Sequence, residues 1–207
     1  MSQGIKVVLF DLGNVLIDLD YAFAVKRISH FCQVKEKDIV SILMRSDITA
    51  LFEEGKLTPE EFFSRIQKLL GLNISYEAFV SIWNEVFFLS AKNRFTFSIA
   101  NSLKRNYRIA ILSNINKLHY DYINYNFPLF GIFDNVFASF KMGAIKPKAS
   151  IYNEAIKELN ALPDEIFYTD DREELVESAN NLGINGFVFK GVDKLRQDLI
   201  NVGVLLS

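Results

Sequence analysis

Four short stretches of the chain carry residues suited to moving a phosphoryl group. Asp11 closes the apolar run Val7-Val8-Leu9-Phe10, Ser113-Asn114 follows Ile109 to Leu112, Lys146 comes just after a short loop, and Asp170-Asp171 follows Ile166 to Thr169. A carboxylate at the end of a buried strand is costly without a partner, so Asp11 calls for a metal ion, a turn or chemistry. A phosphate monoester presents spread negative charge to an incoming carboxylate, and an Asp nucleophile works only where cations neutralise that charge. Lys146 and Mg2+ would do this. Mg2+ favours a few carboxylate oxygens and several waters in octahedral geometry, which suits Asp11 and Asp171, with Asp170 holding a metal-bound water. Ser113 could donate its hydroxyl to a phosphoryl oxygen and Asn114 its amide.

Each stretch also has a plainer reading. Asp11 could cap the next turn, Ser113-Asn114 could cap a helix, Lys146-Pro147 could be a solvated turn, and Asp170-Asp171-Arg172 could be an acidic first helical turn. Their conjunction, in this order and each at a strand end, favours a site.

The elements that must position these residues alternate. Apolar runs at Lys6 to Asp11, Ile109 to Leu112, Val136 to Ala138, Ile166 to Thr169 and Gly186 to Phe189 predict buried strands. Between them, Asn93 to Lys104, Lys117 to Tyr125, Ile151 to Leu159 and Arg172 to Leu182 carry apolar residues at mixed three and four spacing, which predicts helices packed on a sheet. The fold class is therefore α/β, a Rossmann-like doubly wound parallel sheet, and ligands in such sheets bind beyond the carboxyl ends of the strands. From Leu19 to Leu89 the alternation stops, with amphipathic segments and no persuasive strand. Residues 19–89 are thus expected to form an inserted helical subdomain, and 1–18 with 90–207 the core. Within the insertion, Thr58-Pro59-Glu60-Glu61 predicts a capping box and a helix from Pro59 to about Leu70, ended by Gly71. Ser75 starts another, whose Phe79, Trp83 and Phe87 fall four apart on one face and read as core.

Composition narrows the function classes. The chain has 207 residues, 23 basic against 25 acidic side chains and no long basic stretch, which leaves no footprint for nucleic acid. Cys32 is the only cysteine, excluding an internal disulfide and any multi-thiolate metal site. No apolar run approaches the roughly 18 residues that span a bilayer, and no secretory pattern opens the chain. The expected setting is cytoplasmic and the expected partner a small phosphorylated metabolite, with neither membrane nor nucleic acid involved.

The four stretches together resemble the motifs of the haloacid dehalogenase superfamily of hydrolases over essentially the whole chain. In that resemblance Asp11 matches the nucleophile, Ser113 the second-motif hydroxyl, Lys146 the third-motif lysine and Asp170-Asp171 the acidic fourth motif, while the insertion matches a helical cap. Phe10-Asp11-Leu12-Gly13-Asn14-Val15, Leu112-Ser113-Asn114-Ile115-Asn116 and Lys146-Pro147 with Ile151-Tyr152 are similar to the alpha-D-glucose-1-phosphate phosphatase-like branch. The resemblance implies Mg2+ held by Asp11, Asp171 and the Gly13 carbonyl, with Asp170 supporting its waters. It also implies phosphoester hydrolysis through an aspartyl-phosphate.

Gly13 departs from the superfamily's commoner pattern. Most of its phosphatases carry a second Asp there, acting as acid toward the leaving group and base toward water. The sugar-phosphatase branch shares the Gly, so the resemblance implies that activity survives through another group, with Asp18 or a residue of the helical insertion as candidates. Two alternatives stand beside this one. The protein is a weakly active or non-catalytic binder of phosphate compounds or a partner, a reading fed by Leu175 where related sequences often have Asn. Or it is a 2-haloacid dehalogenase, which the paired acids and the absence of Tyr at position 13 disfavour. His30 and His119 lack metal-ligand spacing, and a surface or half-buried structural role is expected for both.

Overall fold

The structure, a computed structural model, describes residues 4–204. In chain order the elements are β1 (Val7–Phe10), β2 (Asp18–Leu19), α1 (Tyr21–Ser29), α2 (Glu36–Arg45), α3 (Asp47–Glu53), α4 (Pro59–Leu70), α5 (Tyr76–Asn84) and β3 (Phe87–Phe88). The chain continues with α6 (Ala91–Leu103), β4 (Arg108–Ser113), α7 (Lys117–Asn126), β5 (Asn135–Ala138), α8 (Ser139–Met142) and α9 (Ala149–Leu159). It closes with β6 (Ile166–Asp170), α10 (Glu173–Asn180), β7 (Asn185–Val188) and α11 (Val192–Asn201).

All five long strands are parallel, in the order β5-β4-β1-β6-β7. The chain builds outward from β1 to β4 and β5, then crosses back to lay β6 on the other side of β1. This reversal opens a crevice at the carboxyl ends of the central strands. Pairing puts Phe10 opposite both Ile111 and Thr169, so Asp11, Ser113 and Asp170 emerge side by side. β1 is buried on both faces, and its alternate side chains feed two separate cores. Val8 and Phe10 pack with Ile99 and Leu103 of α6 and Leu195 of α11, while Val7 and Leu9 pack with Ile151, Tyr152 and Ala155 of α9.

Helices α1 to α5 form the insertion, entered at β2 and left at β3, which pair antiparallel through Asp18 with Phe88 and Leu19 with Phe87. These two short strands fall at the edges of a stretch whose sequence shows no strand, and they correct one detail. Phe87 does not continue the face of Phe79 and Trp83, because α5 ends at Asn84 and Phe87 lies in β3. The capping box over Thr58 and Glu61 and the left-handed Gly71 bound α4 where the sequence places its ends. Phe62, Ile66, Phe79 and Trp83 join the same buried cluster as Val8 and Phe10, so the insertion shares a continuous core with one face of the sheet. α11 is a helix that the sequence pattern did not predict. Among the described residues, no helix is long and apolar enough to cross a membrane.

Candidate active site

Lys146 is the hub of the site. Only 2% exposed, its ammonium donates to Asp11 Oδ1 at 2.7 Å, Asp170 Oδ2 at 2.6 Å, the Leu112 carbonyl at 2.9 Å and Tyr168 Oη at 3.0 Å. A lysine so placed is no solvated turn. Burial works against its charge, but Asp11 and Asp170 outweigh that and hold the ammonium charged. Its position is set by Asn114, whose Oδ1 accepts from the Lys146 N–H at 2.7 Å and whose Nδ2 donates to the Lys146 carbonyl at 2.9 Å. The Lys146–Pro147 peptide that follows is cis. The Asn114 amide is thus turned mainly to Lys146, leaving one Nδ2 hydrogen for any ligand.

The two carboxylates bound to Lys146 differ in character. Asp170 is fully buried, and burial pushes its carboxyl up, yet Lys146, Tyr168 and the Arg172 N–H reverse the shift and keep it ionised. Tyr168 Oη donates to the same Oδ2. Asp11 is pushed up to about 7, chiefly by burial and by the neighbouring charge of Asp170, with Lys146 pulling the other way. Only its Oδ1 takes a hydrogen bond from a described residue. Asp11 therefore presents a free oxygen.

Asp171 completes a cluster. Oxygens of Asp11, Asp170 and Asp171 lie within 4.8 Å of one another. Asp171 Oδ2 accepts from Asn14 Nδ2 at 2.8 Å, while burial and Asp170 still drive its carboxyl upward. Three carboxylates at this spacing, two of them pushed toward their neutral forms, carry more negative charge than Lys146 offsets. A hard dication bound by oxygens fits such a donor set.

Ser113 is 4% exposed, and its hydroxyl makes only a long 3.4 Å contact with the Asn114 carbonyl, so it is free to turn to a ligand. Helix α7 is capped by Asn116 rather than by Ser113 or Asn114. Helix α10 starts at Arg172 without a side-chain cap, and Asp170 Oδ1 instead accepts the Arg172 N–H in a tight turn. The competing helix-cap readings of both stretches therefore fail.

These groups open onto one cavity of about 300 Å3, the lower end of the size range for small-molecule sites. Its floor carries Asp11, Gly13, Ser113, Lys146 and Asp171, and its roof comes from the insertion through Leu43, Met44, Glu53 and Trp83. Trp83 is core and wall at once, 1% exposed with its Nε1 lacking a hydrogen-bond partner.

Two expectations are corrected here, the exposure of His119 and the availability of Asp18 as an acid. His119 is buried, stacked on Trp83 at 4.8 Å between ring centroids, with Nε2 donating to the Trp83 carbonyl at 3.0 Å. Burial holds its pKa down at about 4, so it is neutral and structural. Asp18 is not a free acid: it accepts from Lys92 at 2.5 Å and from Asn93 at 3.2 Å, and these bonds overcome burial and lower its pKa. Leu175 is buried and lines the cavity, while its carbonyl accepts from Tyr152 Oη at 2.9 Å.

Tyr168, Asn14 and Glu53 belong to the cavity or its support, and the sequence pattern singled out none of them. The period of two along β6 puts Tyr168 on the face of Asp170, a signal that was there to be used. Asn14 sits in a tight Gly-Asn turn at φ 56°. No local pattern marks Glu53.

The haloacid dehalogenase-like hydrolase family model matches residues 5–183. A D-ribitol-5-phosphate phosphatase of Bacteroides thetaiotaomicron is 26% identical over 94% of this chain and 97% of its own. A sesquiterpene phosphatase of Aspergillus oryzae is 24% identical over 90% of each chain. A haloacid dehalogenase family enzyme of Bacteroides thetaiotaomicron, solved in complex with magnesium and inorganic phosphate, superposes with a TM-score of 0.80 at 27% identity, covering 90% of this chain and 95% of its own. With 179 consecutive residues under the family model and the fold shared throughout, the chain belongs to the haloacid dehalogenase-like hydrolases.

Proposed function

We propose that the protein is a magnesium-dependent phosphatase that hydrolyses a small phosphorylated metabolite, of the sugar or sugar-alcohol phosphate class, through an aspartyl-phosphate. The observation that carries this reading is the split state of Asp11. One oxygen is anchored by a buried ammonium, and the other is free beside a cluster of carboxylates at the floor of the cavity. The phosphatases among the relatives support the reaction class, and the solved neighbour in complex with magnesium and inorganic phosphate supports the ion.

Asp11 attacks phosphorus and forms the acyl phosphate. Lys146 keeps it aligned and lends its positive charge to the phosphoryl group, whose oxygens the Ser113 hydroxyl and the remaining Asn114 N–H receive. Asp11, Asp171 and the Gly13 carbonyl would hold Mg2+, with Asp170 placed to take its waters. When bound, the ion would neutralise phosphoryl charge and keep the carboxylates ionised. The helical insertion, residues 19–89, acts as a lid that excludes bulk water, and its apolar wall of Leu43 and Met44 faces the part of the substrate beyond the phosphate.

The test is phosphate release from a panel of sugar and sugar-alcohol phosphates, with and without Mg2+, by the native chain and by Asp11→Asn. Release should require Mg2+ and fall at least ~10³-fold in the variant. Release that persists in Asp11→Asn would sink the reading.

A further inference from the structure

An Asp nucleophile alone leaves the reaction short of a proton. Breaking the ester bond produces an alkoxide, which must be protonated, and the water that later attacks the acyl phosphate must lose a proton. Gly13 has no side chain to do either, and most ionisable groups around the cavity are already committed. Asp18 is held ionised by Lys92 and Asn93, and His119 spends both ring nitrogens on the Trp83 carbonyl and Asn116. Asp11, Asp170 and Asp171 belong to the nucleophile and the carboxylate cluster, and Lys146 holds two of them.

One acid remains. Glu53 ends α3 and lines the cavity from above, and its carboxyl makes no hydrogen bond with any other described residue. Its backbone is nonetheless fixed to the core: Ser139 Oγ donates to the Glu53 carbonyl at 2.6 Å and accepts from the Ile115 N–H at 2.9 Å. Ile115 lies two residues beyond Ser113. Next in the chain, Glu54 pairs with Lys148, two residues beyond Lys146. The segment bearing Glu53 is therefore tied to the two loops that follow Ser113 and Lys146, while its own carboxyl, at the cavity wall, is left without a hydrogen bond.

Resting on the phosphatase reading above, we propose that Glu53 is the proton-transfer residue of this site, delivered by the insertion to the position that Gly13 leaves empty. In the first step an Asp11 oxygen bonds to phosphorus, the ester P–O bond breaks, and the leaving oxygen takes the Glu53 proton to depart as the alcohol. In the second, water bonds to phosphorus, gives one proton to the Glu53 carboxylate, and the acyl P–O bond breaks to restore Asp11 and release inorganic phosphate. The charged and titratable groups facing Glu53 are Lys146 and Arg172 on the core and Tyr21 on α1. Burial lifts the Glu53 carboxyl to about 7, against the downward pull of Arg172 and Lys146. Such a group can carry a proton near neutral pH and part with it.

The experiment compares the native protein with Glu53→Gln on two esters. One is p-nitrophenyl phosphate, whose leaving group needs no proton; the other is the alkyl phosphate turned over fastest in the panel above. Glu53→Gln should lower kcat on the alkyl ester about 10²-fold or more with KM changed less than threefold. The first-turnover burst of nitrophenolate should stay within threefold of native. The native kcat/KM for the alkyl ester should fall as pH rises past about 7, and that limb should vanish in Glu53→Gln. Adding Gly13→Asp to Glu53→Gln should restore at least tenfold, since a Cβ at Gly13 lies 3.9 Å from Asp11 Oδ2 and meets only the flexible end of Leu19 at 3.3 Å. Equal losses on both esters in the first turnover, or an unchanged alkyl kcat, would overturn the role of Glu53. If the native chain is inactive, or Asp11→Asn is as active as native, the phosphatase reading has failed and takes this role with it. Native activity that depends on Asp11 but not on Glu53 removes this proposal alone.

Discussion

At the level of single residues, the site is a problem of charge held out of water. Lys146 reconciles Asp11 with Asp170, and the difference between those two carboxylates comes from their remaining partners. Asp170 gains Tyr168 and the Arg172 N–H, whereas Asp11 gains nothing further and is left able to react. His119 shows the same physics on a neutral group. Its pKa is about 4 in the folded chain against 6.5 when unfolded, so the unfolded state binds more protons between those values. The stabilisation is present in full above pH 6.5 and is lost as pH falls toward 4. Relative to His119→Phe, which keeps the ring stack and cannot titrate, the native protein should lose about 2 kcal/mol between pH 7 and pH 5. Urea unfolding of both proteins across that range checks this, and a difference independent of pH would refute it.

At the level of elements, two junctions place the insertion over the sheet. One is α5 against α7, closed by His119 on Trp83. The other is the turn after α3, where Gly55 adopts φ +69° and a Cβ would collide with the Phe140 carbonyl oxygen. Gly71 also has a positive φ, +63°, but nothing lies within 4 Å of its would-be Cβ. The pair separates backbone strain from steric conflict. Gly71→Ala should cost about 1 kcal/mol, the ordinary cost of a left-handed alanine. Gly55→Ala should cost at least about 2 kcal/mol more and lower activity as well, because relief requires the Glu53-bearing turn to leave Phe140. Equal losses of stability in denaturant would show that the α3 turn is not held against the core in solution.

For the molecule as a whole, the parallel sheet supplies a rigid floor and the insertion a roof, and the carboxylates between them repel until a cation joins them. Mg2+ should therefore raise the melting temperature in proportion to its binding, with about 2.7 kcal/mol of added stability at a concentration 100 times its dissociation constant. Asp171→Asn should abolish that shift. It should leave the metal-free protein no less stable, since it removes a carboxylate whose burial and neighbour already disfavour its charge. A thermal shift that survives in the variant would place the ion elsewhere.

The three central strands were legible because each is built on a short apolar run, as a strand buried on both faces requires, and the two outer ones because two or three apolar residues still mark them. Helix ends such as the Thr58 capping box and Gly71 were legible for a similar reason, being settled within a few residues of backbone. Asp11, Ser113, Lys146 and Asp170-Asp171 could be gathered because strand ends meet at one edge of such a sheet. What depended on packing between distant segments could not be read. The tether of Asp18 to Lys92, the burial of His119 under Trp83, the turn of Asn114 toward Lys146 and the arrival of Glu53 above the cavity each join residues 30 or more positions apart. The chain by itself determined which polar groups would gather at one edge of the sheet around the cavity, since local patterns set the strands and the strands set their ends. Only the tertiary structure decided which acid stands free above it, because that depends on how a helical insertion closes over the sheet.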